Sequence, residues 1–421
     1  MTITESDPLL DCGCPENKQV GLSRRTLFRM AGAAGITTAL TLSDVRLAFG
    51  APAGTGTLVV LSLRGGFDGL SAVVPNGDPD YAKLRPGIGI PAAQTKKIDS
   101  LFGLHPALAP LFPIWDAGNM AAVHAVGQAD PTRSHFEAMA EMERAAPNAS
   151  LRSGWIDRTL GELGNPGRFT GTQIGSANMP ASMIGPNAKF AMDSIAGVKL
   201  AIGEDQVPLS RWKSAMGLLH AGARPEISRP VSSALAAVGS VQGLQKKPSE
   251  AKTLGYPDTG LGRSLHDVAR LVKANLGLRV ATVDSGNWDM HANLGRSDNG
   301  WMFNQLTEVA TALAAFAKEL GDDLNQVTVV TLSEFGRRVE ENGSGGLDHG
   351  HGNAVLVVGG GVKPGVHGRW PGLAADKLVD GDLAGTTDYR SVISEVLKGR
   401  CGVPSTTDVF PGFKPKPVGL V

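Results

Sequence analysis

An α/β fold with a mainly parallel sheet, flanked by helices on both faces, is predicted by three observations. Short apolar runs recur along the chain, stretches of helical periodicity lie between several of them, and an acidic residue or histidine follows run after run. Ligands in such sheets bind beyond the carboxyl ends of the strands, so those polar residues can converge although they are far apart in sequence. The chain has 421 residues, which suits one large domain over 54–421 with an insertion better than two separate cores.

Taken in order, Thr57 to Leu63 reads as a buried strand that runs into the turn Arg64-Gly65-Gly66-Phe67-Asp68-Gly69. A second strand, Met120 to Gly127, precedes Asp130-Pro131-Thr132-Arg133-Ser134-His135-Phe136 and a helix from about Phe136 to Arg144, with Ser134 at its start. Gly164 to Tyr256 lacks strong periodicity and is rich in Gly, Pro and Ser, so it reads as an insertion or cap over the sheet, with short helices near Pro208 to His220 and Ser232 to Val241. Leu261, Leu265, Val268, Val272 and Leu276 then keep helical spacing, and Leu278 to Val283 follows as a strand. Helix and strand recur at once: Met302, Leu306, Val309, Leu313, Phe316 and Leu320 mark one apolar face, and Val327 to Leu332 is the next strand. Asn353 to Val358 gives another buried run, and a last helix spans about Tyr389 to Lys398.

Residues 1–53 stand apart from this pattern. Ser23-Arg24-Arg25-Thr26-Leu27-Phe28-Arg29 followed by the Ala- and Gly-rich apolar stretch Met30 to Leu42 resembles a twin-arginine export signal. The stretch is too short and too rich in glycine for a stable membrane span, and Gly50 and Ala53 offer cleavage sites. The expected partner is the twin-arginine translocase, and the expected location periplasmic or extracellular. Removing the signal takes Cys12 and Cys14 with it, which leaves Cys401 alone and rules out an internal disulfide in the mature chain. That route carries prefolded proteins, a common reason being a metal inserted before crossing.

Balanced charge, with Lys+Arg 40 against Asp+Glu 40, gives no indication of a nucleic-acid partner. Gly65-Gly66 and Gly359-Gly360-Gly361 follow strands, but neither fits Gly-X-Gly-X-X-Gly or a P-loop, so no nucleotide cofactor is expected. The chemistry lies in Asn287-Trp288-Asp289-Met290-His291 and Leu347-Asp348-His349-Gly350-His351-Gly352-Asn353. Asp289, His291, Asp348, His349 and His351 place carboxylates and imidazoles one or two residues apart, which is the donor chemistry of a divalent metal site. Asp68 and Glu334 follow strands and are further metal candidates, although acidic residues there also cap helices. Arg337 and Arg338 either neutralise an anionic substrate or merely flank their loop. His105, His220, His266 and His367 read as ordinary core or solvated residues.

The succession Leu63 to Leu70, Arg133 to Phe136, Asn287 to His291, Ser333-Glu334-Phe335-Gly336-Arg337 and Asp348 to Asn353 resembles an uncharacterised family of twin-arginine-exported bacterial proteins, known only as a domain of unknown function. That family is similar to the alkaline phosphatase and sulfatase superfamily. The resemblance covers essentially the whole mature chain and implies one or two divalent metals (Zn, Mn, Fe, Mg or Ca), a small anionic ester as substrate and Ser134 as nucleophile. It also implies Asp68, Asp289, His291 and Glu334 as ligands, His349 or His351 as the late histidine, and Arg133 or Arg337 offsetting charge on the transferred group. Phe335 departs from it by standing where the superfamily has a histidine ligand, so either His349 and His351 both bind or the second metal is weak or absent. The sulfatase signature is missing, since Pro131-Thr132-Arg133-Ser134 has the wrong order. The implied activity is phosphate ester hydrolysis, with a non-catalytic metal-binding or assembly protein as the alternative; export argues against a phosphomutase.

Overall fold

Nine strands form one sheet in the computed structural model, which describes residues 56–129, 132–147, 150–164, 169–198, 209–246 and 249–421. The segment read as an export signal, 1–53, lies outside these residues. The strands are β1 Thr57–Leu63, β2 Met120–Gly127, β3 Gly171–Ile174, β4 Phe190–Met192, β5 Val280–Ser285, β6 Val327–Leu332, β7 Asn353–Gly359, β8 Gly365–His367 and β9 Thr387–Asp388. Their spatial order is β8-β2-β7-β6-β1-β5-β3-β4, with β9 also beside β2. All pairings are parallel except those of β7, which runs antiparallel to both β2 and β6.

Helices cover both faces: α1 Gly69–Ala72, α2 His135–Arg144, α3 Trp155–Glu162, α4 Leu209–His220, α5 Pro225–Gln245, α6 Gly260–Lys273, α7 Trp301–Leu320 and α8 Tyr389–Gly399. The apolar run of β1 feeds both layers, because successive side chains on a strand point to opposite faces. Val59, Leu61 and Leu63 join α6 and α7 through Leu265, Val268, Leu306 and Leu313. Leu58 and Val60 join α3 and α8 through Trp155, Leu160, Val392 and Val396. Two-sided burial explains why β1, β6 and β7 are continuous hydrophobic runs rather than alternating ones. Local signals fix the helix ends: Thr259 caps α6 by accepting from the Gly262 amide at 3.2 Å, Asn275 just beyond it adopts a left-handed φ of 51°, and Asp388 caps α8 through the Arg390 amide at 2.9 Å.

The region 164–256 departs from its expected role as a cap. Residues 171–174 and 190–192 are sheet strands that extend the β5 side. The burial of the first is partly polar, with the Thr172 hydroxyl on the Phe169 carbonyl at 3.0 Å and the Gln173 side chain on Thr282, and the second is only three residues long, so no apolar run of strand length announces either. The expected helices are α4 and α5, the second longer than its periodic stretch. No helix among the described residues is long and apolar enough to cross a membrane.

Leu265 is fully buried between α6 and the sheet. Leu265→Ala should lower the unfolding free energy by about 2–5 kcal/mol in chemical denaturation, with the m-value unchanged.

Candidate metal centre

The carboxyl ends of β1, β2, β5 and β6 lie along one edge of the sheet, as parallel pairing requires. Because β7 runs the other way, it brings its beginning to that edge, and with it the loop from Asp348 to Gly352. Asp289 and His291 follow β5, Ser333 to Arg337 follow β6, and His135 opens α2 beyond β2. A backbone bridge between Arg337 and His349 joins the β6 loop to the β7 loop. That close approach demands glycine: a Cβ on Gly350 would lie 2.4 Å from the Arg337 carbonyl carbon, and one on Gly336 2.0 Å from the Gly352 oxygen.

Four donor atoms meet there. Asp289 Oδ1 lies 3.1 Å from His291 Nε2, 3.1 Å from His349 Nε2 and 3.4 Å from His135 Nε2. The Nε2 atoms of His291 and His349 are 3.0 Å apart. His135, Asp289 and His349 also offer donors that all lie within 4.8 Å of one another. Each imidazole is held from behind by its Nδ1: His135 by Glu334 Oε1 at 2.7 Å, His291 by Asp348 Oδ1 at 2.9 Å, and His349 by the Arg133 carbonyl at 2.8 Å. A carbonyl can only accept, and so can a carboxylate, so in all three rings Nδ1 carries the proton and a neutral ring turns its Nε2 lone pair to the centre. Lone pairs on three nitrogens and one carboxylate oxygen repel unless protons or a cation lie between them. His135 Nε2 is buried and has no hydrogen-bond partner.

The supporting residues are themselves fixed. Glu334, 2 % exposed, accepts from the Gly65 amide at 2.8 Å and from the Ser333 hydroxyl at 3.1 Å as well as from His135. Asp348 also accepts from the Asn342 side-chain amide at 3.3 Å, and the His291 hydrogen bond holds its carboxyl below the ordinary range. Partial burial works against ionisation of Asp289, but the hydrogen bond and charge of Arg337 outweigh it and bring the carboxyl down to about 2. Phe335 is buried beneath the cluster, with its ring centre 4.8 Å from that of His135 and 4.9 Å from that of His349. It shapes the floor of the site where the resemblance has a ligand.

Of the residues expected from sequence, Asp289, His291 and His349 converge, while Glu334 and Asp348 stand behind the histidines instead of beside them. Asp68 is elsewhere: its carboxylate is buried and clamped by Arg85 at 2.6 and 3.0 Å, and it caps α1 through the Ser71 amide at 3.1 Å. His351 turns away, its Nε2 lying 2.9 Å from the Gln128 carbonyl. Neither is placed to hold a second ion. Arg337 is not available to a substrate either, being 1 % exposed, with its guanidinium taken by the carbonyls of Gly65, Gly66, Trp288 and Leu347 and by Asp289. Arg133 keeps 43 % of its side chain exposed while pairing with Asp382 at 2.6 Å. Ser134 caps α2, accepting from the Glu137 amide at 3.5 Å. His135 was missing from the expected set, because its neighbour Ser134 was the residue with a role and a single histidine at a helix start carries no spacing signal.

A family model described as "Protein of unknown function (DUF1501)" matches residues 229–393, a span that holds Asp289, His291, Glu334 and His349 but not His135. No curated protein matches the sequence. Among solved structures, the chain is similar to the C-terminal periplasmic domain of EcEptC from Escherichia coli in complex with zinc, at 9% identity and a TM-score of 0.32, covering 86% of this chain and 88% of that one. It is also similar to alkaline phosphatase from the Antarctic bacterium TAB5, at 10% identity and a TM-score of 0.29, covering 74% and 94%.

The Asp68–Arg85 pair carries a stability signature that a metal ligand would not. Burial opposes ionisation of Asp68, yet Arg85 holds its carboxyl below the ordinary value. The contribution of the pair is therefore complete above the unfolded carboxyl pKa of about 4 and is lost as pH falls through the lower folded value. Asp68→Asn strands the Arg85 charge and should cost about 3–5 kcal/mol at pH 7. Urea denaturation should show that gap to wild type narrowing below pH ~4.

Proposed function

We propose that this chain is an exported, metal-dependent hydrolase of small anionic esters, phosphate before sulfate, working with one divalent metal. The observation that carries the reading is the convergence of His135, His291 and His349 on Asp289, with every Nδ1 tied to an acceptor. Three imidazoles and one carboxylate fit zinc or a similar borderline cation better than magnesium or calcium, which prefer oxygen donors throughout. The orphaned His135 Nε2 fits the same ion. A cation held there would supply Lewis-acid chemistry to an ester and to its attacking oxygen. Asp289 and His291 keep about half of their side chains exposed, which leaves an open side for a substrate.

In this reading Ser134 is the nucleophile, one residue before His135 and at the positive end of α2. Its oxygen bonds to phosphorus as the ester oxygen leaves, and water later releases phosphate. Arg133, still partly exposed, offsets the charge on the equatorial oxygens. Glu334, Asp348 and the Arg133 carbonyl orient the three rings and keep them in one tautomer. Export rests on the twin-arginine motif from Ser23 to Arg29, with the translocase as partner and a periplasmic or extracellular destination.

A second reading, a metal-holding assembly protein without catalysis, is favoured by two observations. Ser134 is engaged as a helix cap, and Arg337 is buried among backbone carbonyls and Asp289 and so is out of a substrate's reach.

Elemental analysis of purified protein should find about one zinc-class ion per chain, as one four-donor site requires. His135→Ala and His349→Ala should lose that ion, and Glu334→Gln should weaken binding by about 10–100-fold in a chelator competition. Hydrolysis of an aryl phosphate should fall by at least ~100-fold in Ser134→Ala with metal content unchanged. Full activity in that variant would remove Ser134 from the mechanism; metal without any esterase activity would favour the assembly reading.

A further inference from the structure

A tight turn between β8 and β9 grips the metal centre from outside. The Val379 amide donates to the Asp382 carbonyl at 3.0 Å and the Asp382 amide to the Val379 carbonyl at 2.9 Å, while Asp380 and Gly381 between them take left-handed φ values of 52° and 81°. This closure sets the Asp380 carbonyl and the Asp382 carboxylate against two arginines. Arg133 donates to Asp382 Oδ2 from Nη2 at 2.6 Å and from Nε at 3.2 Å, and Arg338 donates to the Asp380 carbonyl at 3.1 Å. The next residue, Leu383, accepts from the Gly352 amide at 2.9 Å. One short segment thus reaches the loops that carry His135, Glu334 and His349.

The contact with Arg133 leads furthest into the centre. Its carbonyl accepts from His349 Nδ1 at 2.8 Å, and Ser134 and His135 follow it directly in the chain. A shift of Arg133 would therefore disturb two imidazoles at once. The Arg133 side chain is 43% exposed, and a long exposed side chain without a partner samples many rotamers. Asp382, 2% exposed and built into the turn, removes that freedom. Stability alone does not account for a carboxylate in this place. Asp382 Oδ1 is buried without a hydrogen-bond partner among the described residues, and Arg338 Nε stays 4.0 Å away. Burying a carboxylate with one oxygen unsatisfied costs free energy that a neutral side chain would avoid.

We propose that Asp382 is a positioning residue for the metal centre. It fixes Arg133, whose carbonyl then keeps His349 in one tautomer and whose place in the chain sets where α2, and with it His135, begins. Asp382 touches none of the three imidazoles itself. This role rests on the metal-dependent reading for what the rings hold, whereas the state of the rings is measured without metal.

Nitrogen-15 spectra of the full metal-free chain, labelled at histidine and held at about pH 8, above the ordinary imidazole range, report the tautomers. His349, assigned by the signal lost in His349→Gln, should carry its proton on Nδ1 in the parent. In Asp382→Asn, which keeps the shape and one acceptor oxygen but loses the charge, it should show a mixture of tautomers. Competition against a chelator should then find zinc held about tenfold more weakly in that variant. Arg133→Gln should act alike, and the double substitution should be no weaker than Arg133→Gln alone, because the same contact is lost in each. Parent-like His349 signals in folded Asp382→Asn overturn the proposal. A double variant whose losses add also overturns it, since Asp382 then acts without Arg133. Should Asp382→Asn fail to fold, Arg133→Lys takes its place: it keeps a charge opposite Asp382 without the two-bonded hold, so mixed tautomers support the proposal and parent-like signals overturn it. Absence of zinc binding by the parent, with His349 signals that do respond to Asp382→Asn, overturns the metal-dependent reading and supports the positioning of the rings, so the two failures are distinct.

Discussion

A single buried guanidinium holds the ligand-bearing loops in register. Arg337 spends its donors on the carbonyls of Gly65 and Gly66 after β1, of Trp288 after β5 and of Leu347 before β7, and on the Asp289 carboxylate. Bonding these loop carbonyls satisfies backbone oxygens buried at the sheet edge; the Trp288 oxygen also accepts from the Met290 amide at 3.0 Å. A lysine could not span them, because only the planar fork presents donors in several fixed directions at once. The positive charge also lies against Asp289 and keeps it ionised, so the same residue shapes the loops and sets the charge at their meeting point.

The histidines depend on a second set of constraints. Their Nδ1 atoms are held by two carboxylates and a carbonyl drawn from three separate segments, so the direction of each Nε2 is decided before any ligand arrives. Phe335 supports the rings of His135 and His349 from below. A histidine there would add a donor, whereas the phenyl ring adds only shape. The Asp68–Arg85 pair acts at the neighbouring loop, where Arg85 also donates to the carbonyls of Arg338 and Val339 and so ties the β1 turn to the chain following β6.

Much of the frame was legible from periodicity. The runs Thr57 to Leu63, Met120 to Gly127 and Val327 to Leu332 are strands with those bounds, and the helices expected near 261–276 and 389–398 are α6 and α8. Each is buried on a continuous face, so apolar spacing reported it directly. The strand β3 was hidden because it buries Thr172 and Gln173 with hydrogen bonds in place of an apolar run, and β4 because its three residues, Phe190–Met192, are too short a run to read as a strand. His135 was hidden because nothing local distinguishes a ligand from a helix-start histidine. Asp68, Arg337 and His351 looked like ligands or substrate-binding residues from position alone; what gives them other roles is their hydrogen-bond partners, Arg85 for Asp68, four backbone carbonyls and Asp289 for Arg337, and the Gln128 carbonyl for His351, and spacing shows none of these.

Sequence by itself determined the α/β alternation and the clustering of Asp289, His291, Asp348 and His349 near strand ends, since spacing and residue type are local properties. Tertiary structure decided the rest of the centre. The direction of β7 is the main instance: antiparallel pairing with β2 and β6 carries the start of that strand, and the histidine loop before it, to the edge where the other strands finish. A buried apolar run reads the same in either direction, because burial leaves a record of which face is covered but none of which way the chain runs.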